Sequence, residues 1–123
     1  MTIPEHGVAP GQSAVGYWFG DVKLWSWLWP DGVVRPDKAD VQADGSIAMK
    51  WPWSRGVVGQ LRITGHRVDG NAPPVTSSVT EGYGDIGFQA TTIFFPTVGC
   101  WEITGSVGSA SLTFTVLVVH PGQ

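Results

Sequence analysis

The sequence holds one cysteine, Cys100, among 123 residues. That excludes an internal disulfide and a cysteine-built zinc site, and it leaves redox compartment unread. Charge is scarce: 14% of residues are charged, against roughly 25% in an average protein. Positive charge is missing altogether after Arg67. Residues 1–67 carry seven basic and six acidic side chains, a balance of +1, whereas residues 68–123 carry only Asp69, Glu81, Asp85 and Glu102, a balance of −4. With a net charge of −3, no nucleic-acid partner is expected, because such binding rests on neutralising phosphates. Arg55, Arg62 and Arg67 could form only a small basic patch. No apolar run approaches the roughly 18 residues of a membrane span, so none is expected. The opening Met-Thr-Ile-Pro-Glu-His lacks a basic stretch followed by an apolar one, so no signal peptide is expected in it. Leucine is scarce too, at 5 residues against 22 Val plus Ile, while 17 Gly and 9 Pro cut helices short. β-Branched residues fit a pleated surface and lose rotamer freedom in a helix, so this balance favours strands.

Seven tryptophans stand against these absences. Six lie between residues 18 and 53. Residues 22–29 read as a strand closed by Pro30-Asp31-Gly32, with Trp25, Trp27 and Trp29 on one face and Leu24, Ser26 and Leu28 on the other. Val33–Arg35 reads as a short return strand completing a hairpin. Residues 36–45 read as a loop with one helical turn. Ile47–Trp51 reads as a strand, and Pro52 demotes its continuation to an edge or bend. Further strands are expected within 56–67, over 75–79, over 88–95 and over 100–104. A turn at 105–108 and a last strand over 111–119 close the chain. Residues 1–13 read as a flexible lead-in and 14–123 as one domain. Seven to nine short strands at this spacing predict an all-β sandwich of two antiparallel sheets.

Four motifs carry a resemblance: Leu24 to Gly32, Lys50 to Gly56, Gly82 to Gln89, and Phe95-Pro96-Thr97-Val98-Gly99-Cys100-Trp101-Glu102. The last, continuing through Ile103-Thr104-Gly105, is similar to the penultimate strand of bacterial immunoglobulin-like domains. Over about residues 15–120 the chain resembles a group of uncharacterised exported bacterial proteins with such domains. The resemblance implies an immunoglobulin-like sandwich with a Trp-rich N-terminal hairpin. It also implies an extracellular or periplasmic location, the leader being absent from this chain. It implies no activity.

The residues themselves offer several candidate sites. Trp25, Trp27 and Trp29 recur about 6.5–7 Å apart, a spacing that suits either stacking on sugar rings or core packing. Trp53 and Arg55 form a second candidate, where Arg55 either recognises an anion or pairs with Asp31 or Asp85. Tyr83 and Asp85 sit in a loop of three glycines that lets the backbone take left-handed turns. Trp101 is expected in the core. His66, Asp85, Glu102 and Cys100 could assemble a small metal-dependent or hydrolytic site only by coincidence of folding, since no histidine pair has ligand spacing and no nucleophile motif is present. The leading expectation is therefore a non-catalytic binding or accessory module that takes a carbohydrate or a cell-surface protein through Trp25, Trp27, Trp29, Trp53, Arg55, Tyr83 and Asp85. No cofactor or metal is expected. A purely structural domain with every Trp buried is the alternative, and a homodimer would be a natural use of surplus apolar surface.

Overall fold

A computed structural model describes residues 1–7 and 16–122. Ten strands and one 3-10 turn run in chain order: β1 (Glu5–Gly7), β2 (Gly16–Asp21), β3 (Leu24–Trp27), β4 (Val33–Val34), the turn Lys38–Asp40, β5 (Ile47–Arg55), β6 (Leu61–Arg67), β7 (Thr76–Val79), β8 (Gly87–Phe95), β9 (Gly99–Val107) and β10 (Ala110–Val118). They form a six-stranded sheet of order β1-β2-β3-β5-β8-β7 and a four-stranded sheet of order β4-β10-β9-β6. All pairings are antiparallel except β4 with β10. The expected two-sheet, all-β sandwich is thus the architecture. No helix among the described residues is long and apolar enough to cross a membrane.

Period-two alternation builds the core, because successive side chains leave a strand on opposite faces. β9 shows it most plainly: Gly99, Trp101, Ile103, Gly105 and Val107 are buried and the residues between are half-exposed. From the other sheet, β5 turns Ile47, Met49, Trp51 and Trp53 inward. The two layers meet at rings. Trp51 stacks on Phe114 with centroids 5.9 Å apart, Trp53 meets Phe114 at 5.8 Å, and Phe95 meets Trp101 edge-on at 5.7 Å. Every indole N–H in this core has an acceptor. Trp51 donates to Ser26 Oγ, Trp53 to Thr91 Oγ1 and Trp101 to the Thr97 carbonyl. This matters because a buried donor left unpaired costs about 1–3 kcal/mol.

Several sequence expectations are corrected. Val33–Val34 does not return as a hairpin with β3; it crosses to the other sheet and lies parallel to β10, with Leu117 N donating to Gly32 O and Val119 N to Val34 O. Pro52 does not end its strand, and β5 is central. The β3–β5 ladder stops at the Ser26–Trp53 pair, so β5 has only one partner, β8, at Pro52 and a missing N–H is tolerated there. Gly105 is strand rather than turn, and the β9–β10 turn falls at Gly108-Ser109. A Cβ at Gly105 would overlap the six-membered ring of Trp53, so this glycine makes room for a tryptophan of the opposite sheet. Within residues 1–7, Thr2 N donates to Thr115 O, Thr115 N donates to Thr2 Oγ1, and β1 pairs with β2. The remainder of the expected lead-in, residues 8–13, lies outside the described residues.

Candidate functional site

Alternation in β3 buries Leu24, Ser26 and Leu28 and leaves Trp25, Trp27 and Trp29 half-exposed. Trp25 and Trp27 therefore lie on the outer face of the six-stranded sheet, while Trp29, two residues past the end of β3, packs against the core at that sheet's margin. Trp18 of β2 sits opposite Trp27 on that face and is 6% exposed. Trp29 is the best-braced member. Its ring lies 5.0 Å from Trp51 of the core and 5.1 Å from Trp27. It forms one wall of a cleft of about 370 Å³ with Asp40, Gln42, Lys50 and Thr92. Asp40 is held in place as Asp37 N donates to its Oδ2 at 2.8 Å, and Gln42 Nε2 donates to the Asp40 carbonyl. Unlike the indoles of Trp51, Trp53 and Trp101, those of Trp18 and Trp25 have buried Nε1 donors without a partner among the described residues.

Trp53 is not part of this face. It is fully buried and has no surface to offer a ligand. Arg55, next inward-facing residue on β5, is 2% exposed. All five of its N–H groups are used on backbone carbonyls. Nε donates to Gly87, Nη1 to Gly59 and Gly84, and Nη2 to Tyr83 and Ile86. The left-handed φ values of Gly82, Gly84 and Gly87, between 71° and 93°, are what let this loop turn its carbonyls inward without strain. Burial lowers the guanidinium pKa from its usual value, and the nearby Asp85 charge partly restores it. The expected partner Asp31 is elsewhere, bonded to Arg35 at 2.6 Å.

Arg55 thereby clamps two loops at one end of the sandwich, Gly59 N donating to Asp85 O joins the same two loops, and Gly56 N donating to Lys23 O ties in the β2–β3 turn. Tyr83 and Asp85 are both exposed there, and Tyr83 packs edge-on against Phe88 at 5.5 Å. Exposed apolar tips surround them: Val22, Val58 and Ile86 are 72%, 63% and 51% exposed. Sequence reasoning named Arg55, Tyr83 and Asp85 but missed Val22, Val58 and Ile86. β-Branched apolar residues in a β-rich sequence carry no mark of exposure.

The residues of the hydrolytic alternative are not brought together. His66 and Glu102 are cross-strand neighbours at 4.0 Å on the outer face of the four-stranded sheet. Asp85 sits beside Gly59 at the Leu61 end of β6, roughly 16 Å of strand away. Cys100 is half-buried, and its backbone N–H donates to Asp69 Oδ1. Among the described residues no group of three or more His, Cys, Asp and Glu could hold a metal ion. No protein-family model matches the chain, and neither a curated protein nor a solved structure matches it.

Proposed function

We propose that this chain is a non-catalytic binding module that takes a glycan on the outer face of its six-stranded sheet. The observation that carries the reading is Trp29: a half-exposed indole, braced by Trp27 and Trp51, walling a cleft that also presents a carboxylate, an amide, an ammonium and a hydroxyl. A flat ring stacks on the C–H face of a sugar, and mixed donors and acceptors beside it meet the hydroxyls. Rigid backing reduces the ordering cost of binding.

An immunoglobulin-like assignment belongs to the same proposal. The order β3-β5-β8-β7 follows the A-B-E-D sheet of that fold, and β6-β9-β10 follows C-F-G. An extracellular or periplasmic role fits such a module. The test is tryptophan emission with acrylamide quenching during titration with a panel of soluble oligosaccharides. The expected result is a quenchable, red-shifted component that responds to sugar and is lost in Trp29→Ala. Seven blue-shifted emitters that ignore every oligosaccharide would return the chain to the purely structural reading.

A further inference from the structure

The loop end of the sandwich carries a second surface, and its argument does not depend on the glycan reading. A cleft of about 450 Å³ opens there, with Arg55, Leu61, Glu81, Asp85 and Gln89 among its lining residues. The chemistry of an occupant follows from which hydrogen-bonding groups are already used. Arg55 has no donor left, because each of its five N–H groups is on a carbonyl. An incoming carboxylate or phosphate would meet a buried charge with no hydrogen to offer. What the cleft does offer is acceptors. Glu81 and Asp85 are exposed carboxylates, and neither is in an ion pair among the described residues.

Gln89 supplies an independent sign. It is 6% exposed, and its Nε2 donates to the Thr80 carbonyl at 3.1 Å. Its Oε1 is buried with no donor among the described residues. Such an orphan costs about 1–3 kcal/mol, and orphans of this kind ask for an explanation such as a missing partner. An amide oxygen lacking a donor, in a wall shared with two carboxylates, is matched by a cationic N–H donor. The rim gives the occupant's surroundings. Val58 and Ile86 are solvent-exposed tips on the two loops that frame the cleft.

We propose that this cleft receives an arginine or lysine side chain of a partner protein, whose apolar neighbours rest on Val58 and Ile86. Acidic walls repel an anionic membrane and favour a partner with a basic centre and an apolar rim. The Arg55 clamp holds both loops in place beforehand, so little ordering remains at docking.

The proposal is tested with ¹⁵N-labelled protein and two short valine-flanked peptides, one with a central arginine and one with the neutral isostere citrulline. The arginine peptide is expected to shift the backbone amides of Gly82, Gly84 and Asp85 and the side-chain amide of Gln89. The citrulline peptide should bind about tenfold more weakly, as should the arginine peptide to the Glu81→Gln, Asp85→Asn double variant. Both replaced residues are exposed, and a dispersed spectrum confirms that the variant is folded. Trp29→Ala should leave these shifts unchanged, which separates failure here from failure of the glycan reading. The proposal is overturned by no shifts from the arginine peptide, by equal shifts from both peptides, or by the same amides shifting with protein concentration alone, which would make a second copy the occupant.

Discussion

The two outward faces of the sandwich are built from different alphabets. On the six-stranded sheet, β2, β3, β5 and β8 turn Trp18, Trp25, Trp27, Ala48, Pro52, Phe88, Ala90 and Phe94 outward, with Ser54, Thr92 and the charged Lys50 the polar residues in the same phase. On the four-stranded sheet, cross-strand rows read Arg62–Ser106–Ser111, Thr64–Thr104–Thr113 and His66–Glu102–Thr115. Thr104 and Thr113 hydrogen-bond through their hydroxyls at 2.8 Å. The second face is what an antiparallel sheet shows to water. The first is not, and it is the face with unpartnered indoles. The difference teaches where a ligand is to be sought: both faces are equally regular in backbone, and only one departs from the composition that solvent favours.

The contrast can be broken most forcefully at its arginines. Arg55→Met removes five donors from part-buried backbone carbonyls and should lower unfolding free energy by about 3 kcal/mol. Arg62→Met, on the polar face and exposed, should change it by less than about 0.5 kcal/mol. Urea melts that gave both variants the same loss would show that Arg55 is no clamp. Next in size, Trp27→Ala should cost about 1–2 kcal/mol, because the ring is half-buried against Trp29. Thr104→Ala should stay within about 0.5 kcal/mol. Equal costs would erase the distinction between the faces.

The smallest effect concerns acid. Asp69 is held below its ordinary pKa of 3.8, first by the Arg67 guanidinium at 2.8 Å and then by the Cys100 N–H. A carboxyl whose folded pKa is depressed stabilises the fold above its unfolded pKa, and that contribution is lost as pH falls through the lower folded value. Wild-type melting temperature should therefore drop more steeply than that of Asp69→Asn as pH falls below 3.8. Parallel melting curves across that window would remove Asp69 from the account.

Much of the fold was legible in the sequence, for a physical reason. Strands β8 and β10 are rich in β-branched and aromatic residues, β10 alternates apolar with polar residues from Ser111 to Val116, and the observed limits of both fall within one residue of the expected ones. β1 and β2 escaped notice because Glu5-His6-Gly7 and Gly16-Tyr17-Trp18 have no such alternation, and their pairing is a tertiary event. β4 was read as a strand but assigned the wrong neighbour. Two valines after a Pro-Asp-Gly turn fit a hairpin locally, and only the parallel groove beside β10 says otherwise. Of the candidate site, the phase of the tryptophan row was legible, while its exposure was not. Both faces of β3 are apolar, and which one faces water depends on the second sheet. Arg55 was singled out by its neighbours, yet its five carbonyl acceptors are backbone atoms and leave no trace in side-chain identity.

β10 occupies an inner position of the four-stranded sheet, between β4 and β9, and Thr2 is bonded to Thr115 within it. During synthesis the chain emerges from its N-terminal end. β4 then waits for its partner while more than eighty further residues are made, and β9 has one side unpaired until the last strand is out. Until that moment the apolar inner face of the six-stranded sheet has an incomplete layer opposite it. From their own synthesis until residues 110–118 are made, Trp51 and Trp53 therefore lack the complete layer that covers them, and closure of the sandwich waits on β10.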